Sequence, residues 1–91
     1  MTDDLDTRRR RASYRAHHRG TKEMDVLVGR YADARLDAWA PDALHHFERF
    51  LALPDPMLQT WLFSGTGYGD GEFRELIDDI RVFHGLADEK S

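Results

Sequence analysis

Apolar side chains recur every three or four residues over most of the chain, which is the spacing of one face of an α-helix. From Lys22 to about Ala38 this pattern predicts a central helix. Its apolar stripe consists of Met24, Leu27, Val28, Tyr31, Ala34 and Ala38. Gly29 lies within the same helix, where glycine costs about 1 kcal/mol relative to alanine. A close crossing by another helix at Gly29 is therefore expected.

Three more helices are predicted after the central one. Pro41 suits the first position of a third helix, whose apolar face is Leu44, Phe47, Phe50 and Leu51. Asp55 is expected to cap a short fourth helix that begins at Pro56, with an inner side of Met57, Leu58, Trp61 and Leu62. After a flexible, glycine-rich connector at 64–71, a last helix is predicted from Asp70 or Gly71 through His84. Its apolar face is Phe73, Leu76, Ile77, Ile80 and Phe83.

The first helix is more polar than the others. Asp6 or Thr7 is expected to cap it, and it is expected to end at about His18 with a thin apolar stripe of Ala12 and Tyr14. Residues 1–6 and 88–91 are expected to be flexible. No convincing strand is present. The pattern as a whole predicts an all-α protein, a compact five-helix bundle that forms a single domain over residues 1–91.

Composition and charge narrow the class of protein. With 91 residues, 41% of them hydrophobic and 33% charged, the chain is an ordinary globular domain with a modest core. It has no cysteine, no apolar run long enough for a membrane span and no apolar signal segment, so a cytoplasmic protein without membrane insertion is expected. Residues 1–20 carry six arginines against three aspartates, whereas the whole chain has a net charge of −4. A basic N-terminal segment joined to an otherwise acidic chain predicts an oriented electrostatic interaction with a partner.

Catalytic and metal chemistry find little support in the sequence. The pairs His17-His18 and His45-His46 consist of adjacent residues, which diverge by about 100° on a helix and therefore chelate poorly. None of the serines lies in a G-x-S-x-G turn. Neither an enzyme nor a metal site is predicted.

Residues 19–23 separate the basic first helix from the central helix. Gly20 suits the position just after a helix, Thr21 is a competent N-cap, and Glu23 and Asp25 place negative charge in the first turn. If Gly20 were the cap, Glu23 would form half of a capping box. Local physics therefore leaves two interpretations open: an ordinary pair of helix ends, or an exposed docking site.

Two sequence blocks resemble a known family. The string from His18 to Asp25 is similar to the RGxxE signature of the SdhE/YgfY family, the FAD assembly factors of succinate dehydrogenase, which are small helical proteins. The string from Phe47 to Leu62 resembles the family's second block, an apolar helix, an Asp-Pro turn and a Trp-Leu pair. The resemblance covers roughly residues 12–86. It departs from the family pattern at His18, where relatives often have a second arginine, and at Thr60, where an amide or larger polar residue is common.

The resemblance implies a chaperone that binds the flavoprotein subunit of succinate dehydrogenase and promotes covalent attachment of FAD to one of its histidines. It implies partner-binding roles for Arg19, Gly20, Glu23 and Asp25. Arg19 would offer a forked cation, Gly20 would allow close backbone approach, and Glu23 would orient Arg19 or accept a hydrogen bond from the partner. Arg15, His18 and Trp61 are secondary interface candidates.

Further expectations concern cofactor and partners. FAD is expected to be the cofactor of the client flavoprotein and not to bind stably to this chain. Fumarate-reductase-like flavoproteins are further candidate clients, and the chain is expected to be a monomer.

The run from Arg8 to Arg11 carries the alternative function. It is either a solvated helix face or a surface for a partner, and a small nucleic-acid-binding or adaptor protein would use it to contact phosphates. The acidic body and the pI of about 5.6 weigh against nucleic acid as a partner.

Overall fold

The computed structural model describes residues 4–68 and 71–86, and all regular structure in that part of the chain is helical. The five α-helices are α1 (Leu5–His17), α2 (Lys22–Arg35), α3 (Pro41–Leu51), α4 (Asp55–Gln59) and α5 (Arg74–Phe83). A 3₁₀ turn, Leu36–Ala38, extends α2, and a π-helix, Thr60–Ser64, extends α4. The prediction of an all-α protein with five helices is confirmed.

The chain forms two compact units, residues 1–52 and residues 53–91. The expectation of a single domain stays a prediction. Of the segments expected to be flexible, residues 1–3 and 88–91 lie outside the described residues, whereas Leu5 and Asp6 belong to α1. Within residues 4–68 and 71–86, no helix combines the length and the hydropathy that a membrane span requires.

In the first unit, α1 packs against both α2 and α3. The buried side chains of this unit are Ala12, Ala16, Met24, Leu27, Val28, Tyr31, Ala32, Leu36, Leu44, Phe47, Phe50 and Leu51. Half-buried Trp39 closes one edge of the core, because its ring centroid lies 5.0 Å from that of Phe47 and 6.0 Å from that of Tyr31. All four apolar residues predicted for α3 are buried, and Pro41 is its first residue, as predicted.

Helix α1 differs from its prediction at both its start and its buried face. Asp4 is the N-cap in place of Asp6 or Thr7, because its Oδ1 accepts a hydrogen bond of 2.7 Å from the backbone N–H of Thr7. Tyr14 was expected in the apolar stripe but is 64% exposed. The buried stripe instead consists of Ala12 and Ala16, whose small side chains allow close packing of helices.

Helix α2 also buries a different set of residues from the predicted one. Ala34 and Ala38 are exposed, whereas Ala32 and Leu36 are buried. The α-helix ends at Arg35 and continues as a 3₁₀ turn, which has three residues per turn and so moves Ala38 off the α-helical stripe. The close approach expected at Gly29 is confirmed, because the side chain of His17 from α1 lies over it.

Two of the four consecutive arginines brace the first unit. The Arg8 guanidinium donates to both carboxylate oxygens of Glu48 on α3, over 3.2 and 2.9 Å. This hydrogen bonding lowers the pKa of the Glu48 carboxyl, although partial burial opposes the shift. Arg9 donates to the carbonyl oxygens of Leu36 and Trp39, over 3.1 and 2.8 Å. The run is therefore neither wholly solvated nor wholly available to a partner.

The second unit contains α4, the π-helix and α5. Its buried side chains are Leu58, Leu62, Leu76, Ile77 and Ile80. Met57 is exposed and Trp61 is half-buried, although both were predicted on the inner side. Helix α4 begins at Asp55, with Pro54 in place of Asp55 as its N-cap. Helix α5 begins at Arg74, later than predicted, because turns at Gly71 precede it.

Contacts with α5 and the π-helix hold the described part of the glycine-rich segment. Gly65 has a φ of 71°, and a Cβ placed on it would lie 2.6 Å from the Nη1 of Arg81. The Tyr68 hydroxyl donates to the Asp78 carboxylate over 2.6 Å, and this hydrogen bond raises the pKa of Tyr68. Phe73 is half-buried and Phe83 is 38% exposed, so the apolar face of α5 is shorter than predicted.

Candidate functional site

The connector between α1 and α2 consists of residues 18–21 and contains the predicted site residues Arg19 and Gly20. Gly20 has a φ of 122°, a conformation that favours glycine, and it is exposed. Thr21 is the N-cap of α2, because its Oγ1 accepts a hydrogen bond of 3.2 Å from the backbone N–H of Met24. Glu23 is therefore the second residue of α2, so the half capping box that Gly20 as cap would have allowed is not formed.

The connector packs against the first turn of α2. Helices α1 and α2 run antiparallel, as three contacts along them show. Arg9 contacts Leu36, His17 lies over Gly29, and after the turn Arg19 contacts Asp25. The last of these is a hydrogen bond of 2.5 Å from the Arg19 backbone N–H to the Asp25 carboxylate. Asp25, predicted to bind a partner, thus also holds the connector to its own helix.

Arg19 ties the connector to α3. Its Nη1 donates a hydrogen bond of 2.7 Å to the carbonyl oxygen of Leu51, the last residue of α3. The last carbonyl groups of a helix lack intrahelical partners, and a cation suits that end of the helix dipole. The guanidinium predicted to reach a partner is therefore partly engaged within the first unit.

Glu23 and Gly20 are the exposed members of the predicted site. No residue among 4–68 and 71–86 forms a hydrogen bond or ion pair with the Glu23 carboxylate, so Glu23 does not orient Arg19 here. The connector thus presents a glycine backbone, and the adjoining first turn of α2 presents a carboxylate, on a segment held by internal hydrogen bonds. Of the secondary candidates, His18 belongs to the connector and Arg15 lies in the last turn of α1, whereas Trp61 belongs to the second unit.

Tyr14 is an exposed neighbour of the connector that the sequence did not identify. Its ring stacks on His18, with centroids 4.0 Å apart and an interplanar angle of 20°. The His18 Nδ1–H donates to the carbonyl oxygen of Tyr14 over 2.7 Å. The spacing of four residues between an aromatic ring and a histidine was the signal that could have indicated this pair.

His17 is a second residue that the sequence did not assign to the site. Its Nε2–H donates to the two carboxylate oxygens of Asp33, over 3.0 and 3.1 Å, while its ring lies over Gly29. Gly29 alone indicated that something packs closely on α2, but sequence spacing does not tell which residue of α1 does so.

A family model described as Flavinator of succinate dehydrogenase matches residues 10–84, which include the whole connector. The chain belongs to this family. The FAD assembly factor SdhE of Acetobacter pasteurianus is 37% identical over 87 residues, covering 91% of this chain and 80% of that protein. The FAD assembly factor SdhE of Coxiella burnetii is 29% identical over 63 residues, covering 69% of this chain and 77% of that protein. No solved structure has significant similarity to the chain.

Membership in the flavinator family confirms the family resemblance of the sequence. The residues that resemble the RGxxE signature lie in the connector and the first turn of α2, and their partner-binding roles stay a prediction. Within the described residues, no group of three or more histidine, aspartate or glutamate side chains is arranged to hold a metal ion.

Proposed function

We propose that this flavinator-family protein is an assembly factor that binds the flavoprotein subunit of succinate dehydrogenase and promotes covalent attachment of FAD to a histidine of that subunit. The observation that carries the proposal is the family match over residues 10–84. The exposed backbone of Gly20 in the connector and the exposed Glu23 carboxylate in the first turn of α2 supply the surface for docking. The names of the family and of its two relatives agree with this function.

We assign a role in client binding to each predicted site residue of the connector and of the first turn of α2, on the basis of its geometry. Gly20 allows the client's backbone to approach, since it has no side chain, and Glu23 accepts a hydrogen bond from the client. Arg19 and Asp25 hold the connector in shape through their hydrogen bonds to Leu51 and to the Arg19 backbone. Because these groups are ordered before the client arrives, binding loses less conformational entropy.

The bond-forming chemistry belongs to the flavin and the client. The assembly factor holds the flavoprotein in a conformation in which its histidine and the flavin meet in reactive geometry. We therefore treat the chain as a chaperone and not as an enzyme, with FAD as the client's cofactor. We extend the proposal to fumarate-reductase-like flavoproteins as candidate clients and to a monomeric protein that acts in the cytoplasm.

The alternative of nucleic-acid binding is less well supported. Arg8 is engaged with Glu48, and Arg9 with two backbone carbonyl oxygens, so these cations are not arranged along a phosphate backbone. The net charge of −4 opposes it further.

Co-expression with the flavoprotein subunit tests the proposal. Covalently bound flavin is detected by in-gel fluorescence after denaturation, and the fluorescent band should depend on this chain. Gly20→Arg should abolish the band, because a long side chain covers the exposed backbone patch. Gly85→Arg is the matched control, since Gly85 is also exposed, has a φ of 73° and has open space around it. A band of equal intensity with wild type and with Gly20→Arg would contradict the proposal, as would a band that does not require the chain.

A further inference from the structure

His17, Gly29 and Asp33 form a contact that we name the His17 clasp. His17 is the last residue of α1, and Gly29 and Asp33 lie one turn apart on α2. A Cβ placed on Gly29 would lie only 2.5, 2.7 and 2.9 Å from the Nδ1, Cε1 and Cγ atoms of the imidazole. The ring therefore occupies the space that any side chain at position 29 would need, and the Asp33 carboxylate receives its Nε2–H.

The end of α1 is held by side chains, among them buried Ala16 and the His18 imidazole, whose Nδ1–H donates to the Tyr14 carbonyl oxygen. The backbone N–H of His18 reaches the Arg15 carbonyl oxygen over 3.4 Å, which is long for a hydrogen bond. His18 has a φ of −129° and a ψ of 61°, so the helix does not end in a left-handed cap at this residue. The last turn of α1 thus depends on contacts made by side chains.

We infer that His17 is a positioning residue, whose imidazole, held over Gly29 and against Asp33, fixes the point from which the connector leaves α1. The other end of the connector is already fixed by the Thr21 cap and by the bond from Arg19 to Asp25. With both ends fixed, the backbone of this short connector can adopt few conformations, so Gly20 is presented in one orientation. The functional part of this inference rests on the proposed function.

Ring packing, more than charge, should account for the effect. The side chains of His17 and Asp33 are 36% and 58% exposed, and ion pairs at such exposure contribute little to stability. The contact of the ring with Gly29, by contrast, needs a planar side chain on one helix and no side chain on the other. His17→Phe keeps a planar ring and removes the hydrogen bond, whereas His17→Ala removes both.

A first experiment examines the free protein by NMR. His17→Ala and Gly29→Ala should each shift or broaden the backbone amide signals of Gly20 and Thr21, while the signal of Gly85 in the second unit stays unchanged. His17→Phe should restore signals close to those of wild type. In a His17→Ala background, Gly29→Ala should have little further effect, because the ring that it displaces is already absent. Unchanged connector signals in folded His17→Ala and Gly29→Ala proteins would overturn the inference.

A second experiment measures flavinylation of the co-expressed client. His17→Ala and Gly29→Ala should each lower the rate roughly tenfold, as misplacement of a positioning group does, and His17→Phe should recover most of it. If both variants shifted the connector signals yet flavinylated at the wild-type rate while Gly20→Arg was inactive, the clasp would have no positioning role and the proposed function would stand. If wild type itself gave no flavinylation, the proposed function would fail together with the functional role of the clasp, and the NMR result would still decide whether the clasp orders the connector.

Discussion

The Nη1 of Arg19 and the carbonyl oxygen of Leu51 lie 2.7 Å apart, joined by a hydrogen bond that connects the connector to the end of α3. The two residues are 32 positions apart in the chain. The same residue also uses its backbone N–H to reach Asp25. Arg19 therefore links the connector to two helices, and in the proposed function it helps to hold Gly20 in place.

Replacement of Arg19 tests this linking role. Arg19→Ala should lower the free energy of unfolding by about 1 kcal/mol, because a half-buried hydrogen bond from a charged donor is lost. Arg30→Ala, at an exposed arginine of α2, should change it by less than about 0.5 kcal/mol. Urea unfolding followed by circular dichroism measures both. Equal stabilities of the two variants would show that the bond to Leu51 does not brace the connector.

Acid should weaken the bond between Arg8 and Glu48. Because the folded state lowers the pKa of Glu48, this pair stabilises the protein above the ordinary carboxyl pKa, and its contribution is lost as pH falls through the lowered value. Glu48→Gln should therefore cost about 1 kcal/mol at pH 7 and make the acid side of the stability curve flatter below about pH 4.5. Unfolding free energies between neutral pH and about pH 3 provide the measurement. Glu75→Gln, at an exposed site, is the control, and the same curve for both variants would contradict the assignment.

Two glycines with similar φ separate backbone strain from steric contact. Gly65 and Gly85 have φ values of 71° and 73°, so alanine at either site should cost about 1–2 kcal/mol. Only at Gly65 would the added Cβ also meet the Arg81 guanidinium, which donates to the Leu62 carbonyl oxygen over 2.9 Å. Gly65→Ala should therefore be the more destabilising change in thermal unfolding. Equal or smaller destabilisation by Gly65→Ala would contradict a cost of displacing Arg81.

The parts of the fold that the sequence predicted well are those with a bulky apolar face and a local start signal. Helix α3 has both, in Pro41 and in four large apolar residues, and its predicted start and buried face were correct. Helix α1 lacks such a face, and its N-terminus offers several competing cap residues, of which Asp4 is the one used. Its core contacts come from Ala12 and Ala16. Small alanine side chains contribute little to a hydrophobic pattern, so exposed Tyr14 was assigned to the core.

The candidate site was predicted by resemblance to a family and only partly by physics. Local rules correctly placed Thr21 as a cap, whereas Gly20, expected directly after the first helix, lies two residues beyond its C-cap, His18. They could not show that Arg19 bonds to Leu51 or that His17 lies over Gly29, because both contacts join residues distant in sequence. Likewise, the partners of Arg8 and Arg9 appear only once the helices are packed.

The central claim is that the exposed Glu23 carboxylate contacts the client, and a matched pair of glutamates tests it. Glu23 and Glu75 are each the second residue of an α-helix and are both exposed, so Glu→Ala should affect stability similarly at the two sites. The measurement is covalent flavin on the co-expressed flavoprotein subunit, by in-gel fluorescence normalised to the amount of subunit. Glu23→Ala should reduce it at least tenfold, corresponding to about 1.4 kcal/mol, while Glu75→Ala leaves it at the wild-type level. Equal flavinylation by the two folded variants would contradict the account.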